Sequence, residues 1–255
     1  MTALQLGFLF LAGIGGGFTG AVAGLASLVS YPALLAVGLP PVVANVTNSV
    51  AMIGATTGSI AGSRPELEGQ GAVLLRLALL AGVGGATGGA LLLLTPGEAF
   101  ASIVPWLIAL ASVLLMVAPT LRRVAERRTE RGPAGATPLG PVTLVAAFGV
   151  AVYGGYFGAA SAVMMLALLS ISWSQSLARS NAAKNVASGA ANIVAAVVFA
   201  FVGPVDWPAA GVLCAGLLIG ARVGPPLVRR VPETPLRIAI GVAGLGLAVS
   251  LWIRA

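Results

Sequence analysis

Residues 4–38 read LQLGFLFLAGIGGGFTGAVAGLASLVSYPALLAVG, an unbroken apolar segment that contains no charged residue. As one helix it would be about 52 Å long, well beyond the ~30 Å hydrocarbon core of a bilayer, yet it is short for two full spans. Glycines at positions 13, 15, 16, 17, 20 and 24 and a proline at position 32 interrupt it. Such residues break helices or let backbones approach closely. The segment therefore predicts a hairpin of short or broken helices inside a membrane.

The rest of the chain continues this pattern. Of its 255 residues 58% are hydrophobic and only 8% are charged, whereas about a quarter of the residues of an ordinary soluble domain are charged. A soluble globular protein is therefore excluded, and the sequence predicts an all-α, multi-pass integral membrane protein. The other apolar segments are residues 42–62, 71–95, 99–118, 142–170, 176–202, 208–228 and 235–253.

One basic segment divides the chain. Lys and Arg number 14 against 7 Asp and Glu, and five of the arginines lie between Arg122 and Arg131. Because this charge does not form a broad solvated face, nucleic acid is excluded as a partner. The positive-inside rule assigns residues 120–138 to a cytoplasmic linker, which separates a first transmembrane repeat, residues 1–119, from a second, residues 139–255.

The two parts resemble each other at a nearly constant offset along the chain. Gly20 and Ser27 recur as Gly154 and Ser161 at one offset, and Gly84 recurs as Gly220 at an offset only two positions longer. We therefore predict two homologous repeats, each a broken-helix hairpin plus three transmembrane helices. An odd number of crossings inverts the second repeat and brings the arginines at positions 64, 229, 230 and 237 to cytoplasmic ends. Eight simple spans remain the alternative, and they place the arginines at positions 229 and 230 outside.

Polar side chains mark a candidate site in the segment that follows each hairpin. Lipid-facing helices avoid such groups because unsatisfied polar atoms are costly in hydrocarbon. A cation at bilayer depth costs roughly 2.5–3.5 kcal/mol and points to an anionic ligand, although Arg179 can alternatively extend to the interface. We expect a midplane substrate site. Its candidate residues are Ser27, Asn45, Thr47, Asn48, Ser161, Arg179, Asn181, Lys184 and Asn185.

Other kinds of chemistry find no support in the sequence. The chain has no histidine and a single cysteine, Cys214, so we expect no catalytic residue, no metal site and no cofactor. Its carboxylates fall in or beside predicted loops, which leaves no clear proton relay. Sodium held by neutral oxygens remains open, as do two other functions: an intramembrane enzyme with a serine–lysine pair, and a non-catalytic subunit of a membrane assembly.

Several motifs resemble those of the TauE/SafE sulfite exporter family. They are GIGGGFTGAVAGLASLVSYPALLAVGLPPVVANVTNSV at 13–50, GVAVYGGYFGAASAVMM at 149–165, LARSNAAKNV at 177–186 and GPVDW at 203–207. The resemblance implies a secondary transporter with duplicated halves that moves small sulfur anions, such as sulfite, sulfoacetate or other organosulfonates, outward across the bacterial inner membrane. It implies a lipid bilayer, a small anionic substrate and a possible second copy of the chain as partners.

This sequence departs from the family pattern near the predicted site. The family often has a glycine triplet where this chain has Ala26-Ser27-Leu28, and the corresponding second-half residues are Ala159-Ala160-Ser161. The family's common Thr-Ser pair is here Thr47-Asn48. Side chains of serine and asparagine can donate hydrogen bonds where bare backbone would otherwise do so.

Overall fold

The fold consists entirely of helices and connecting segments within the part of the chain that the structure describes. A computed structural model describes residues 1–23, 26–56, 64–129, 139–173, 175–228 and 233–254. Ten helices of eleven or more residues lie in these ranges. They are α1 (Ala3–Ala23), α2 (Ala26–Ala36), α3 (Pro41–Ala51), α4 (Gly71–Leu94), α5 (Gly97–Thr129), α6 (Pro141–Tyr156), α7 (Ser161–Ser172), α8 (Leu177–Val202), α9 (Trp207–Val228) and α10 (Glu233–Arg254).

Helix length and composition identify the spans. Among the described residues, four helical stretches are long and apolar enough to cross a bilayer: Ala3–Gly20, Gly71–Leu94, Gly97–Thr120 and Ala178–Val202. Shorter apolar helices accompany them, including α2, α6 and α7. Many large apolar side chains are exposed, such as Leu4, Leu94 and Phe201, because a membrane protein turns apolar surface toward lipid. The chain is a multi-pass membrane protein.

Helices α1 and α2 form the predicted hairpin. The side-chain amide of Gln5, near the start of α1, donates to the carbonyl of Val37, just after α2, at 3.1 Å. Gly16 packs on Ser30, so the two helices are antiparallel. The two residues between them, 24–25, lie outside the described residues. Pro32, which was expected to break a helix, lies within α2.

A non-helical break at residues 157–160 separates α6 from α7. Gly158 has φ +81° and Ala160 has φ +61°, the left-handed region that residues with a Cβ rarely adopt. The Tyr153 hydroxyl donates to the Ala159 carbonyl at 2.8 Å and ties the break to α6. The backbone therefore turns sharply where the GYFGAAS stretch lies.

Small residues form two close helix seams, as expected for rows of glycine and alanine. In α9, a Cβ on Gly220 would overlap the Ile14 carbonyl and lie 2.8 Å from the Phe18 nitrogen of α1. In α4, a Cβ on Gly84 would lie 3.1 Å from the Phe148 carbonyl and 3.3 Å from the Val152 nitrogen of α6. Both seams join parallel helices, because contacts advance together along each pair.

Two further helix pairs run antiparallel. Val46, near the start of α3, packs on Gly203, just after α8, whereas Thr56 is hydrogen-bonded to Asn192 of α8. In the other pair, Trp106 of α5 contacts Trp252 of α10 edge to face, with ring centroids 6.3 Å apart. Gly244 of α10 lies against Ser112 of α5.

The basic linker is partly helical. Helix α5 continues to Thr129, so residues 120–129, assigned from sequence to the linker, extend a transmembrane helix instead of beginning a polar loop. Residues 130–138 lie outside the described residues, as do the arginines at positions 229 and 230. The backbone of Arg64 starts a short helical turn, Arg64–Leu67.

Candidate functional site

Helix α3 carries a buried polar face. The helix begins after Pro40 and has proline at its first position, where the missing N–H costs no intrahelical hydrogen bond. Asn45, Thr47 and Asn48 are at most 2% exposed. In a membrane protein such groups require protein partners, since lipid supplies none. Their hydrogen bonds therefore define the surroundings of the site.

Asn45 reaches the break between α6 and α7. Its side-chain nitrogen Nδ2 donates to the carbonyl of Tyr156, the last residue of α6, at 2.8 Å. Its Oδ1 is buried and accepts no hydrogen bond from the residues the structure describes. Ser161 begins α7 on the other side of the same break, and its hydroxyl donates to the Gly158 carbonyl at 2.9 Å. The structure thus assigns Asn45 and Ser161 to one helix interruption.

Thr47 and Asn48 link α3 to its neighbours. The backbone N–H of Asp206, just before α9, donates to the Thr47 hydroxyl oxygen at 3.0 Å. The Ser30 hydroxyl of α2 lies 2.5 Å from Asn48 Oδ1. These bonds join α3 to the first hairpin on one side and to α9 on the other.

The second polar segment is the first part of α8. Ser176 caps this helix through a hydrogen bond from the Arg179 backbone nitrogen at 3.3 Å. The Arg179 side chain is exposed and donates to Gln175 Oε1 at 3.3 Å. Asn181, Lys184 and Asn185 are half-buried. Of the two cations, Lys184 therefore lies deeper in the protein.

The predicted residues are distributed over two ends of the molecule. Val46 packs on Gly203, just after α8, and Asn181 lies 22 residues before Gly203 in the same helix. Asn45, next to Val46, therefore lies on the order of 30 Å from Asn181, at about 1.5 Å of rise per residue. Half-buried Ser27 belongs to the first turn of α2. The structure does not bring all nine residues into one pocket.

One more polar contact joins Asn192 Nδ2 of α8 to the hydroxyl oxygen of Thr56, five residues after the end of α3, at 3.4 Å. Both side chains are half-buried. The sequence did not predict Thr56, Ser30, Tyr31 or Tyr156 as residues of the site. The longer of the two repeat offsets, which matches Gly84 to Gly220, also separates Thr56 from Asn192 and Asn45 from Asn181. Thr56 could therefore have been predicted as the first-half counterpart of Asn192.

The residue types present limit the chemistry. The described residues contain no group of three or more His, Cys, Asp or Glu that could hold a metal ion. The polar atoms of α3, α2 and the α6–α7 break belong to amides, hydroxyls and backbone. Such groups recognise a small polar ligand by hydrogen bonds and helix-end dipoles.

Comparison with known proteins yields one family and several relatives. A family model described as "Sulfite exporter TauE/SafE" matches residues 9–251. The chain is 28% identical over 230 residues to the probable membrane transporter protein YfcA of Escherichia coli strain K12, with 89% of this chain and 82% of that protein covered. It is 25% identical over 252 residues to the probable membrane transporter protein ORF9 of a Sinorhizobium species, with coverages of 96% and 92%.

A probable membrane transporter protein of Haemophilus influenzae is 29% identical over 237 residues, covering 91% of this chain and 88% of that protein. No solved structure matches the chain. The names of these relatives describe transporters and indicate no catalytic activity.

Proposed function

Because the chain belongs to the TauE/SafE sulfite exporter family and is a membrane transporter, we propose that it exports small sulfur-containing anions across the bacterial inner membrane. The substrates we propose are sulfite, sulfoacetate or other organosulfonates. Outward movement of an anion from a negative-inside cell is favoured by about 2.3 kcal/mol per charge per 100 mV. Export therefore needs no coupling ion.

We propose further that the two halves are inverted repeats. Helices α3 and α8 hold the same place in each half and are antiparallel, as are α5 and α10. The two glycine seams support the same relation. Gly84 faces Phe148 and Val152, whereas its counterpart Gly220 faces Ile14 and Phe18, which precede Phe148 and Val152 by the shorter repeat offset.

The observation that carries the proposed function is the polar interior of α3 and α8. These helices run antiparallel, and each carries polar groups toward its N-terminal end, at opposite ends of the molecule. In an alternating-access mechanism, the polar side chains of α3 and those of α8 would be exposed to opposite sides of the membrane in turn. The Thr56–Asn192 contact lies between them. Lys184 and Arg179 supply positive charge for an anion at the α8 end.

Flux into or out of proteoliposomes tests this proposal. The purified protein should release labelled sulfite or sulfoacetate from loaded vesicles faster than protein-free vesicles do. The double variant Arg179→Ala/Lys184→Ala should lose flux by about tenfold or more, since a hydrogen bond to a charged group contributes roughly 1.5–3 kcal/mol. Arg76→Ala removes an exposed cation of α4 and serves as the matched control, with flux unchanged.

Absence of flux for every sulfur anion tested would refute the transport proposal. Unchanged flux in the double variant would instead remove the two cations from the site and leave transport standing. If the protein co-purifies with a fixed partner and shows no flux, the assembly-subunit alternative is favoured.

A further inference from the structure

Two residues that contact the break between α6 and α7, Asn45 of α3 and Tyr31 of α2, each have a buried oxygen atom without a hydrogen-bond partner among the described residues. Asn45 Oδ1 and the Tyr31 hydroxyl both make no hydrogen bond with the described part of the chain. Asn45 is 1% exposed and Tyr31 is 2% exposed. A buried polar group without a partner loses its hydration and gains nothing in return, so two of them close to one backbone interruption require an explanation.

Both residues pack on the same dipeptide. Asn45 Nδ2 donates to the Tyr156 carbonyl at 2.8 Å, and the Tyr31 ring meets the Phe157 ring edge to face, with centroids 5.3 Å apart. The bond to Tyr156 also fixes the orientation of the Asn45 amide, because a flipped amide would set two acceptor oxygens against each other. The atom of the Asn45 amide that has no partner is therefore the oxygen Oδ1, a hydrogen-bond acceptor.

A buried acceptor such as Asn45 Oδ1 favours a cation over an anion as its ligand. Sulfonate oxygens and those of fully ionised sulfite carry no proton to donate, so they gain nothing from Asn45 Oδ1. A cation is attracted to it, and the carbonyl end of α6 has the negative pole of its helix dipole at this position. Broken-helix carbonyl ends are a recurring cation site in membrane transporters.

The oxygen atoms available as ligands also select the charge of the ion. Asn45 Oδ1, the Tyr31 oxygen and backbone carbonyls are all neutral. Divalent hard cations in proteins are held with carboxylates, and the residues that the structure describes contain no such acidic cluster. A monovalent ion suits this donor set better.

We propose that the α6–α7 break binds a resident Na⁺ ion through Asn45 Oδ1, the Tyr31 hydroxyl oxygen and carbonyls at the end of α6. The ion would balance an asymmetry between the two polar helices. At the longer repeat offset, Lys184 of α8 corresponds to Asn48 of α3, so α3 lacks the positive charge that α8 carries. A bound Na⁺ restores it at the α3 end.

Thermal unfolding of the purified protein tests the proposal without any assay of transport. NaCl is compared with KCl and N-methylglucamine chloride at equal ionic strength, up to about 300 mM. An ion that binds only the folded state raises the midpoint, by roughly 5–11 °C at a hundredfold excess over Kd. The same concentrations of the two other salts should produce a clearly smaller rise.

Tyr31→Phe is the decisive variant, because it removes one oxygen and keeps the ring that packs on Phe157. It should bind Na⁺ at least tenfold more weakly, seen as a rightward shift of the midpoint-against-NaCl curve. Ser112→Ala is the matched control, since this buried hydroxyl of α5 donates to Ile108 within its own helix. Its Na⁺ response should equal that of the unmodified protein.

An equal response to all three salts, or an unchanged Na⁺ curve in Tyr31→Phe, overturns the ion site. In that event the two oxygens are satisfied by water. Because chloride is the same in all three salts and no sulfur anion is added, a negative transport assay together with a positive Na⁺ response rejects the proposed substrate and keeps the cation site.

Discussion

At the scale of single residues, buried polar side chains act as cross-links between helices. Thr47, Asn48 and Asn45 each bond to a different element, and the bonds of Thr47 and Asn45 span 159 and 111 residues of sequence. Hydrogen bonds inside hydrocarbon have no competing water, although measured net values in membrane proteins average only about 0.6 kcal/mol. The larger cost arises when one partner is removed and the other stays buried.

Thr47→Val tests this asymmetry. Valine keeps the β-branched shape of threonine but leaves the Asp206 N–H without its acceptor, so we expect a loss of about 1–3 kcal/mol. The thermal midpoint in detergent should fall by roughly 3–10 °C. Ser102→Ala, at an exposed hydroxyl that bonds only within α5, should leave the midpoint almost unchanged, and an equal fall in both variants would contradict the argument.

At the scale of elements, glycines determine how closely helices pack, because they carry no side chain. Gly17, Gly88 and Gly220 face the backbone of a neighbouring helix so closely that a Cβ would overlap it. Backbone atoms cannot move aside as a flexible side chain can. The glycine rows are therefore packing surfaces of the α1–α9 and α4–α6 seams.

Gly220→Ala and Gly211→Ala form a matched pair within α9. The first should destabilise the protein by about 1–3 kcal/mol, because the added methyl meets the Ile14 carbonyl and the helices must separate. The second adds the same methyl where nothing lies within 4 Å, and better helix propensity should leave stability equal or slightly higher. Thermal midpoints of the two variants check the difference, and similar values would argue against a close seam.

At the scale of the whole molecule, the direction of each helix assigns loops to membrane faces. If the linker is cytoplasmic and the α6–α7 pair returns to the face where it begins, Glu98 lies outside and Ser172 lies in the cytoplasm. Eight simple spans give the same face to Glu98 but the opposite face to Ser172. The second residue therefore distinguishes the two topologies.

Single cysteines in a Cys214→Ala background test the assignment with a maleimide that cannot cross membranes. Glu98→Cys should react in intact cells and serves as the positive control. Ser172→Cys, at an exposed site, should react only after permeabilisation. Reaction of both in intact cells would favour eight simple spans.

Much of this fold follows from the sequence, whereas the assembly of the site does not. Apolar length and glycine spacing predicted membrane helices and a helix interruption in each glycine-rich segment, because these depend on local properties. The partners of Asn45 and Thr47 lie 111 and 159 residues away, at the end of α6 and just before α9, and they depend on how α3 packs against these elements. Residue spacing along one helix contains no information about that packing, and Tyr31 and Tyr156 were not predicted.

The two glycine seams also bear on what the polypeptide needs in order to fold. Each seam takes one helix from before the basic segment and one from after it, so a fragment ending near residue 130 would expose both of its glycine faces to lipid. The same holds for the complementary fragment. Splitting the gene at this segment should therefore yield two pieces that are stable only when they are synthesised together.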